Sequence, residues 1–244
     1  MCGRFTLRTS PNVLIDHFDL DVRGARQLPL FEARYNIAPT QEILVVRVDP
    51  ADGRRTADMM RWGLIPSWSK DAKSGSGPPM INARAETLAS KPMFRDAVRY
   101  RRCLIPADGF YEWQQASSEG SRGKKQAYLI HRPDDGLFAL AGLWEIWRQG
   151  PSASSNARLQ IESCTIVTTE ANAALREFHE RMPVVLAPAD YAKWLDPGVE
   201  NLGELSYMLA PCAEEELIAE PVGTHVNRVA NDDPKCVEVQ RSLF

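Results

Sequence analysis

Short runs of apolar, β-branched and aromatic residues, each closed by turn formers, set the pattern through the middle of the chain. Residues 43–48 (ILVVRV), 127–132 (AYLIHR), 137–147 (LFALAGLWEIW) and 164–169 (CTIVTT) have the length and composition of strands. Arg132-Pro133-Asp134-Asp135-Gly136 supplies a tight turn between two of them, because Pro fixes φ while Asp and Gly tolerate the reversal. Helical periodicity is scarcer. Ser10-Pro11 can cap and start a helix with Leu14, His17 and Phe18 on one face, and Pro188 can open another through Tyr191 and Trp194. The pattern predicts a mixed, β-rich α/β fold, with a sheet or barrel-like core and peripheral helices. Segments 70–79 (KDAKSGSGPP), 116–125 (ASSEGSRGKK) and 150–156 (GPSASSN) read as surface loops too short to separate domains. With no internal repeat, residues 1–244 read as one domain.

Composition narrows the class. With 44% hydrophobic and 25% charged residues over 244 positions, the chain can bury a sizeable core as an ordinary globular protein. No apolar run nears the roughly 18–20 residues that span a bilayer, and the start MCGRFTLRTS lacks a secretory apolar stretch. A cytoplasmic location and no membrane partner are expected. The five cysteines (Cys2, Cys103, Cys164, Cys212, Cys236) form no CxxC pair and no Cys/His cluster. Neither metal nor cofactor is therefore expected, and four of the five read as packing residues. A net charge of −3 does not favour indiscriminate nucleic-acid binding. Yet residues 1–125 hold 20 Lys/Arg against 14 Asp/Glu, and residues 126–244 hold 9 against 18. That asymmetry permits a basic face on an acidic protein.

Cys2 stands apart because of its position. A small second residue permits removal of Met1, which would leave a free α-amine and a thiol on adjacent carbons. The reference pKa values, about 7.7–8.0 for the amine and about 8.5 for the thiol, put both within reach of activation near neutrality. An aldehyde meeting this pair forms an imine with the amine, and the sulfur then closes a five-membered thiazolidine. The plainer reading is that position 2 merely permits processing. Gly3 allows close approach of a ligand, and Arg4 either faces a phosphate or is solvated.

Other candidates are weaker one by one. Glu112, among the aromatics of Gly109-Phe110-Tyr111-Glu112-Trp113, is a general acid or base if burial raises its pKa, or a carboxylate on a strand's polar face if not. His179 falls at an expected helix-to-strand junction, where it transfers protons, holds a phosphate or serves structure. Asn82 and Arg84 project to the same face of a strand and make either a phosphate or sugar clamp or a loop contact. Trp62 and Trp68 flank a Gly/Pro turn. Trp62 reads as core, and Trp68 as an exposed platform for an unpaired base.

Six blocks, taken in order, resemble the SRAP-domain proteins, the SOS-response-associated peptidases also described as abasic-site processing proteins. They are Met1-Cys2-Gly3-Arg4-Phe5, Arg34-Tyr35-Asn36-Ile37-Ala38-Pro39, Trp62-Gly63-Leu64-Ile65-Pro66-Ser67-Trp68, Asn82-Ala83-Arg84-Ala85-Glu86, Gly109-Phe110-Tyr111-Glu112-Trp113 and His179-Glu180-Arg181-Met182-Pro183. The resemblance spans essentially the whole chain, ending near Val226-Asn227-Arg228 and Asn231. It implies the SRAP fold, with a groove for single-stranded DNA carrying an abasic site, and a thiazolidine between Cys2 and the ring-opened sugar. By the same resemblance Asn82 orients the site, Glu112 handles protons and His179 assists beside a phosphate. Arg4, Arg84 and Arg181 contact phosphates, Trp68 stacks near the lesion, and Pro39 and Thr168 line the groove. Ser69 replaces a second aromatic found in some relatives, which weakens stacking. The resemblance further implies a monomer, nucleoid-associated when bound to damaged DNA, with an associated lyase activity and self-processing. Two rivals stay open: an N-terminal-nucleophile cysteine peptidase or amidohydrolase, and a non-catalytic reader of DNA.

Overall fold

A computed structural model describes residues 2–22, 28–29, 32–49, 51–72, 78–115, 125–149 and 159–240. In chain order its strands are β1 (Phe5–Leu7), β2 (Arg34–Ile37), β3 (Glu42–Val48), β4 (Arg55–Trp62), β5 (Asn82–Arg84), β6 (Arg102–Ala107), β7 (Gly109–Gln115), β8 (Lys125–His131), β9 (Phe138–Arg148), β10 (Gln160–Glu170), β11 (Arg181–Pro183), β12 (Val185–Leu186) and β13 (Ile218–Val222). The helices are α1 (Pro11–Phe18), α2 (Ala97–Tyr100) and α3 (Tyr191–Leu195). All four strand segments expected from the sequence are present.

Five of the strands close on themselves. Antiparallel pairing runs from β4 to β3, β6, β9 and β10, and a parallel contact between β10 and β4, with Ser163 opposite Arg61, seals the ring. The barrel explains why β6 is buried at every position and β9 at its first eight, instead of alternating. Both faces of these strands are covered, so apolar side chains are favoured on each. A second, antiparallel sheet has the order β13-β8-β7-β1-β2. The turn at residues 132–136 forms, with Asp135 N–H donating to the Arg132 carbonyl at 2.9 Å, but it joins β8 of this sheet to β9 of the barrel.

Helices lie at the edges, as expected. Helix α1 begins with Pro11, buries Leu14 and Phe18 one turn apart and ends at Asp19 in a left-handed conformation (φ 51°). The Phe18 ring stacks on Tyr191 of α3, with centroids 5.5 Å apart. Among the described residues no helix is long and apolar enough to cross a membrane. Of the expected loops, residues 73–77, 116–124 and 150–156 lie outside the described residues.

Candidate functional site

Strand β1 carries the N-terminal residues into the middle of the second sheet. Phe5 lies opposite Phe110 and Thr6 opposite Gly109. Continuing backwards, Tyr111 N–H donates to the Arg4 carbonyl at 2.9 Å, so Cys2 and Gly3 arrive alongside Glu112. On β5, Asn82 Nδ2 donates to the Cys2 carbonyl at 3.0 Å. Asn82 Oδ1 is buried without a hydrogen-bond partner among the described residues. Strand β5 is held in place by β10, where Ile166 lies opposite Asn82.

His179 reaches the same place through packing. It follows successive turns capped by Asn172, whose Oδ1 accepts from Leu175 N–H at 3.0 Å, rather than the helix the sequence suggested. The adjacent Phe178 packs on Tyr128, with centroids 4.7 Å apart, and Tyr128 is the cross-strand partner of Glu112. Arg181 N–H donates to His179 Nδ1 at 2.9 Å, so a neutral ring carries its hydrogen on Nε2. Gly3, Arg4, Glu112 and His179 thus border one open groove of about 650 Å³, with Trp113, Lys125 and Asn227.

Electrostatics correct one expectation. Cys2 is fully buried. Burial first, and the Glu112 carboxylate second, hold its thiol far above the ordinary value, so the resting group at neutral pH is the thiol and not the thiolate. Burial likewise raises the thiols of Cys103, Cys164, Cys212 and Cys236, as befits packing residues, and all five cysteines are free. Burial pushes the His179 imidazole below its ordinary 6.5, against the pull of Glu112 and Glu180. Neutral His179 is the form at pH 7.

The other expected residues divide by exposure. Trp62 is buried and donates from Nε1 to the Ile81 carbonyl at 3.0 Å, whereas Trp68 is 66% exposed. The loop carrying Trp68 is fastened at both ends. Gly63 takes a φ of 133° closed to other residues, Ile65 N–H donates to Ser163 Oγ at 2.9 Å, and Trp147 Nε1 donates to the Ser69 carbonyl at 2.8 Å. Arg84 is exposed at the end of β5, two residues from Asn82, with Ala83 buried between them. Pro39 is half-buried in the turn where Thr40 N–H donates to the Trp62 carbonyl. Arg4 is half-buried, donating to Asn36 Oδ1 at 2.6 Å and the Val226 carbonyl at 3.1 Å, with its guanidinium 5.8 Å from the Trp113 ring centroid.

Two residues do not take the places expected of them. Thr168 is fully buried, which removes its side chain from any groove lining. Arg181 is 13% exposed, and its guanidinium is engaged by both carboxylate oxygens of Glu86, at 2.7 and 3.0 Å, and by the Thr168 carbonyl at 2.6 Å. Both Nη nitrogens are thus already engaged, and a phosphate contact by Arg181 would share the guanidinium with Glu86.

Sequence reasoning missed the wall opposite. Buried Asn36 donates from Nδ2 to the carbonyls of Val226, Arg228 and Asn231 at 3.1, 3.0 and 2.7 Å, pinning the C-terminal segment against β2. That segment brings Asn227 to Trp113, whose Nε1 donates to Asn227 Oδ1 at 2.8 Å. Only the resemblance, which ends near Val226-Asn227-Arg228 and Asn231, hinted at these residues, since no local pattern links positions some 190 residues apart. His225, Asp233 and Cys236 also converge within 4.8 Å, which their sequence spacing did not suggest. They serve each other and Asn231: His225 Nε2 meets Asp233 Oδ2 at 3.0 Å and Cys236 Sγ donates to the Asn231 carbonyl at 3.3 Å.

Residues 1–229 match the family model described as SOS response associated peptidase (SRAP). The chain is 37% identical over 243 residues to the abasic site processing protein YoaM of Bacillus subtilis, covering the whole of both chains. It is 32% identical to the abasic site processing protein HMCES of Gallus gallus, over 89% of this chain and 71% of that one. A crystal structure of a protein from Bacteroides thetaiotaomicron superposes with a TM-score of 0.79 over 98% of this chain and 100% of that one. At 23% identity that match speaks to the fold alone.

Proposed function

The chain belongs to the SOS response associated peptidase (SRAP) family, and from that premise we propose that it processes abasic sites in single-stranded DNA by bonding to them through Cys2 after loss of Met1. The observation that carries this reading is that Glu112 and His179 border one open groove, with buried Cys2 close to Glu112 and bonded through its carbonyl to Asn82. An abasic sugar exists partly as an open-chain aldehyde. While Met1 is attached the Cys2 nitrogen is an amide, and its removal yields the amine that attacks the aldehyde carbon. Water leaves and an imine forms. The thiol hydrogen then passes through Glu112 to the imine nitrogen, and Cys2 Sγ adds to the carbon of the iminium so formed. One water is the only other product.

The high thiol pKa fits this order of events. The amine acts first, and the cationic iminium beside the sulfur favours the thiolate at the step that needs it. Asn82 holds the Cys2 carbonyl, and with it the amine, in one orientation. Neutral His179 presents Nε2–H beside the reacting atoms or the adjoining phosphate. The closed ring shields the lesion, whereas an imine left open permits β-elimination, so lyase action is a branch of the same chemistry.

Incubation with an oligonucleotide carrying one abasic site tests the reading. A boiled, detergent-resistant adduct is expected, and none with the intact oligonucleotide. Repeated cleavage of an amide without an adduct would indicate the peptidase, and salt-sensitive binding alone the reader.

Arg84, exposed beside Asn82, is the proposed phosphate contact. Arg84→Ala should weaken single-strand binding evenly across sequences and flatten the salt dependence by about 0.7 in log–log slope. An unchanged slope removes Arg84 from the groove.

A further inference from the structure

We propose that Glu86 is a positioning residue, which acts through Arg181 to fix His179 and to tie it to the strand carrying Asn82; the inference rests on the function proposed above. Strand β10 has β5 on one edge, where Thr168 lies opposite Arg84, and β11 on the other, where Thr168 lies opposite Pro183. Glu86 sits in the single 3-10 turn Ala85–Thr87 that continues β5. Its two oxygens accept from Arg181 Nη1 and Nη2, and Nη2 also donates to the Thr168 carbonyl between the two edges. One guanidinium therefore binds three adjacent strands at the level of the site. The same residue's backbone N–H is the donor to His179 Nδ1.

The physical argument turns on what such a pair can do. Glu86 is 47% exposed, and ion pairs that open to solvent add little to stability. A bidentate fork does fix direction, because the planar guanidinium meets the planar carboxylate in one geometry. Arg181 thus holds its main chain where N–H points at His179 Nδ1, and that bond selects the tautomer with hydrogen on Nε2. If the fork opens, the ring gains freedom to rotate or to exchange tautomers. The Glu86 carboxyl is held below its ordinary pKa, chiefly by the Arg181 hydrogen bond, so the fork persists at neutral pH.

Glu86→Gln in the full chain separates positioning from plain structure. Ring nitrogen NMR of the DNA-free protein is expected to show the Nε2–H tautomer of His179 in the parent and a mixture in the variant. On the abasic oligonucleotide, adduct formation at saturating DNA should slow about tenfold while the half-saturating DNA concentration barely moves. Glu86→Asp keeps the charge but falls one methylene short, and should give an intermediate ring spectrum and rate; it also serves should Glu86→Gln not fold. A parental ring spectrum in the variants overturns the proposal. So does a raised half-saturating concentration at parental rate, which would make Glu86 a determinant of DNA binding. If the parent itself forms no adduct, the proposed function fails, yet the ring spectra still decide what Glu86 does to His179.

Discussion

Cys2→Ala is expected to leave no heat-stable adduct on abasic DNA, a loss limited only by the sensitivity of the gel. Alanine is also small enough for Met1 to be removed, so this variant keeps a free α-amine and should still form an imine that borohydride traps. It lacks the sulfur that closes the ring. Cys2→Ser should close at most an unstable oxygen analogue, because a hydroxyl is a far weaker nucleophile near neutrality. A variant that retains Met1 keeps the thiol but holds the nitrogen as an amide, and should fail with and without borohydride. Burial holds the Cys2 thiol well above its ordinary pKa, so on the proposed route the amine reacts before the sulfur. Mass spectrometry of the parent should show loss of Met1 before reaction. A retained-Met form that crosslinks as fast as the processed chain would sink the mechanism.

Glu112→Gln should slow adduct formation by about 10²-fold while leaving DNA binding close to that of the parent. Two effects oppose each other here. The carboxylate raises the Cys2 thiol pKa, so its removal alone would make the sulfur easier to ionise and speed ring closure. The amide, however, cannot accept the thiol hydrogen or return it. The sign of the measured change shows which effect governs, and a rate equal to or above the parent's between about pH 6 and 8 would remove Glu112 as the proton carrier. The pH profile of the parent should carry a second signature. Burial lowers the His179 pKa below 6.5, so the ring is neutral from pH 8 down to that value. Its contribution should be flat over that range and decline only in more acidic solution, where protonation at Nδ1 also breaks the bond from Arg181 N–H.

How far the site could be read from the chain varies by residue. Cys2 was legible because its chemistry follows from its position, and its surroundings were not needed to name it. Glu112 was legible as a carboxylate among aromatics, but its place beside Cys2 depends on the β1–β7 register, which joins residues more than 100 positions apart. Trp62 and Trp68 flank one Gly/Pro turn, and the structure separates them as read: Trp62 ends β4 and is buried, whereas Trp68 is exposed. The resemblance puts Thr168 and Arg181 at the groove, whereas in the fold Thr168 is buried and the Arg181 guanidinium lies over β10 against Glu86. Asn36 gave no separate signal, since its role lies in three carbonyls of the C-terminal segment.

The strands show the same division. The run LFALAGLWEIW determined β9 almost to the residue, because a long apolar and aromatic stretch has few other ways to be buried. CTIVTT marked only the C-terminal half of β10, whose first residues include the polar Gln160 and Glu162 and are held by pairing with β9. By itself, then, the sequence determined that β3, β8, β9 and β10 are strands, that α1 begins at Pro11, and that Cys2 is set apart by its position. These follow from local sterics, side-chain shape and bond connectivity. The tertiary structure alone decided the rest: that five strands close into a barrel, that the turn after β8 leads from one sheet to the other, and that Cys2 is a buried thiol beside Glu112. Each of these depends on contacts between residues far apart in the chain, and on burial, which sets pKa values and which no local pattern encodes.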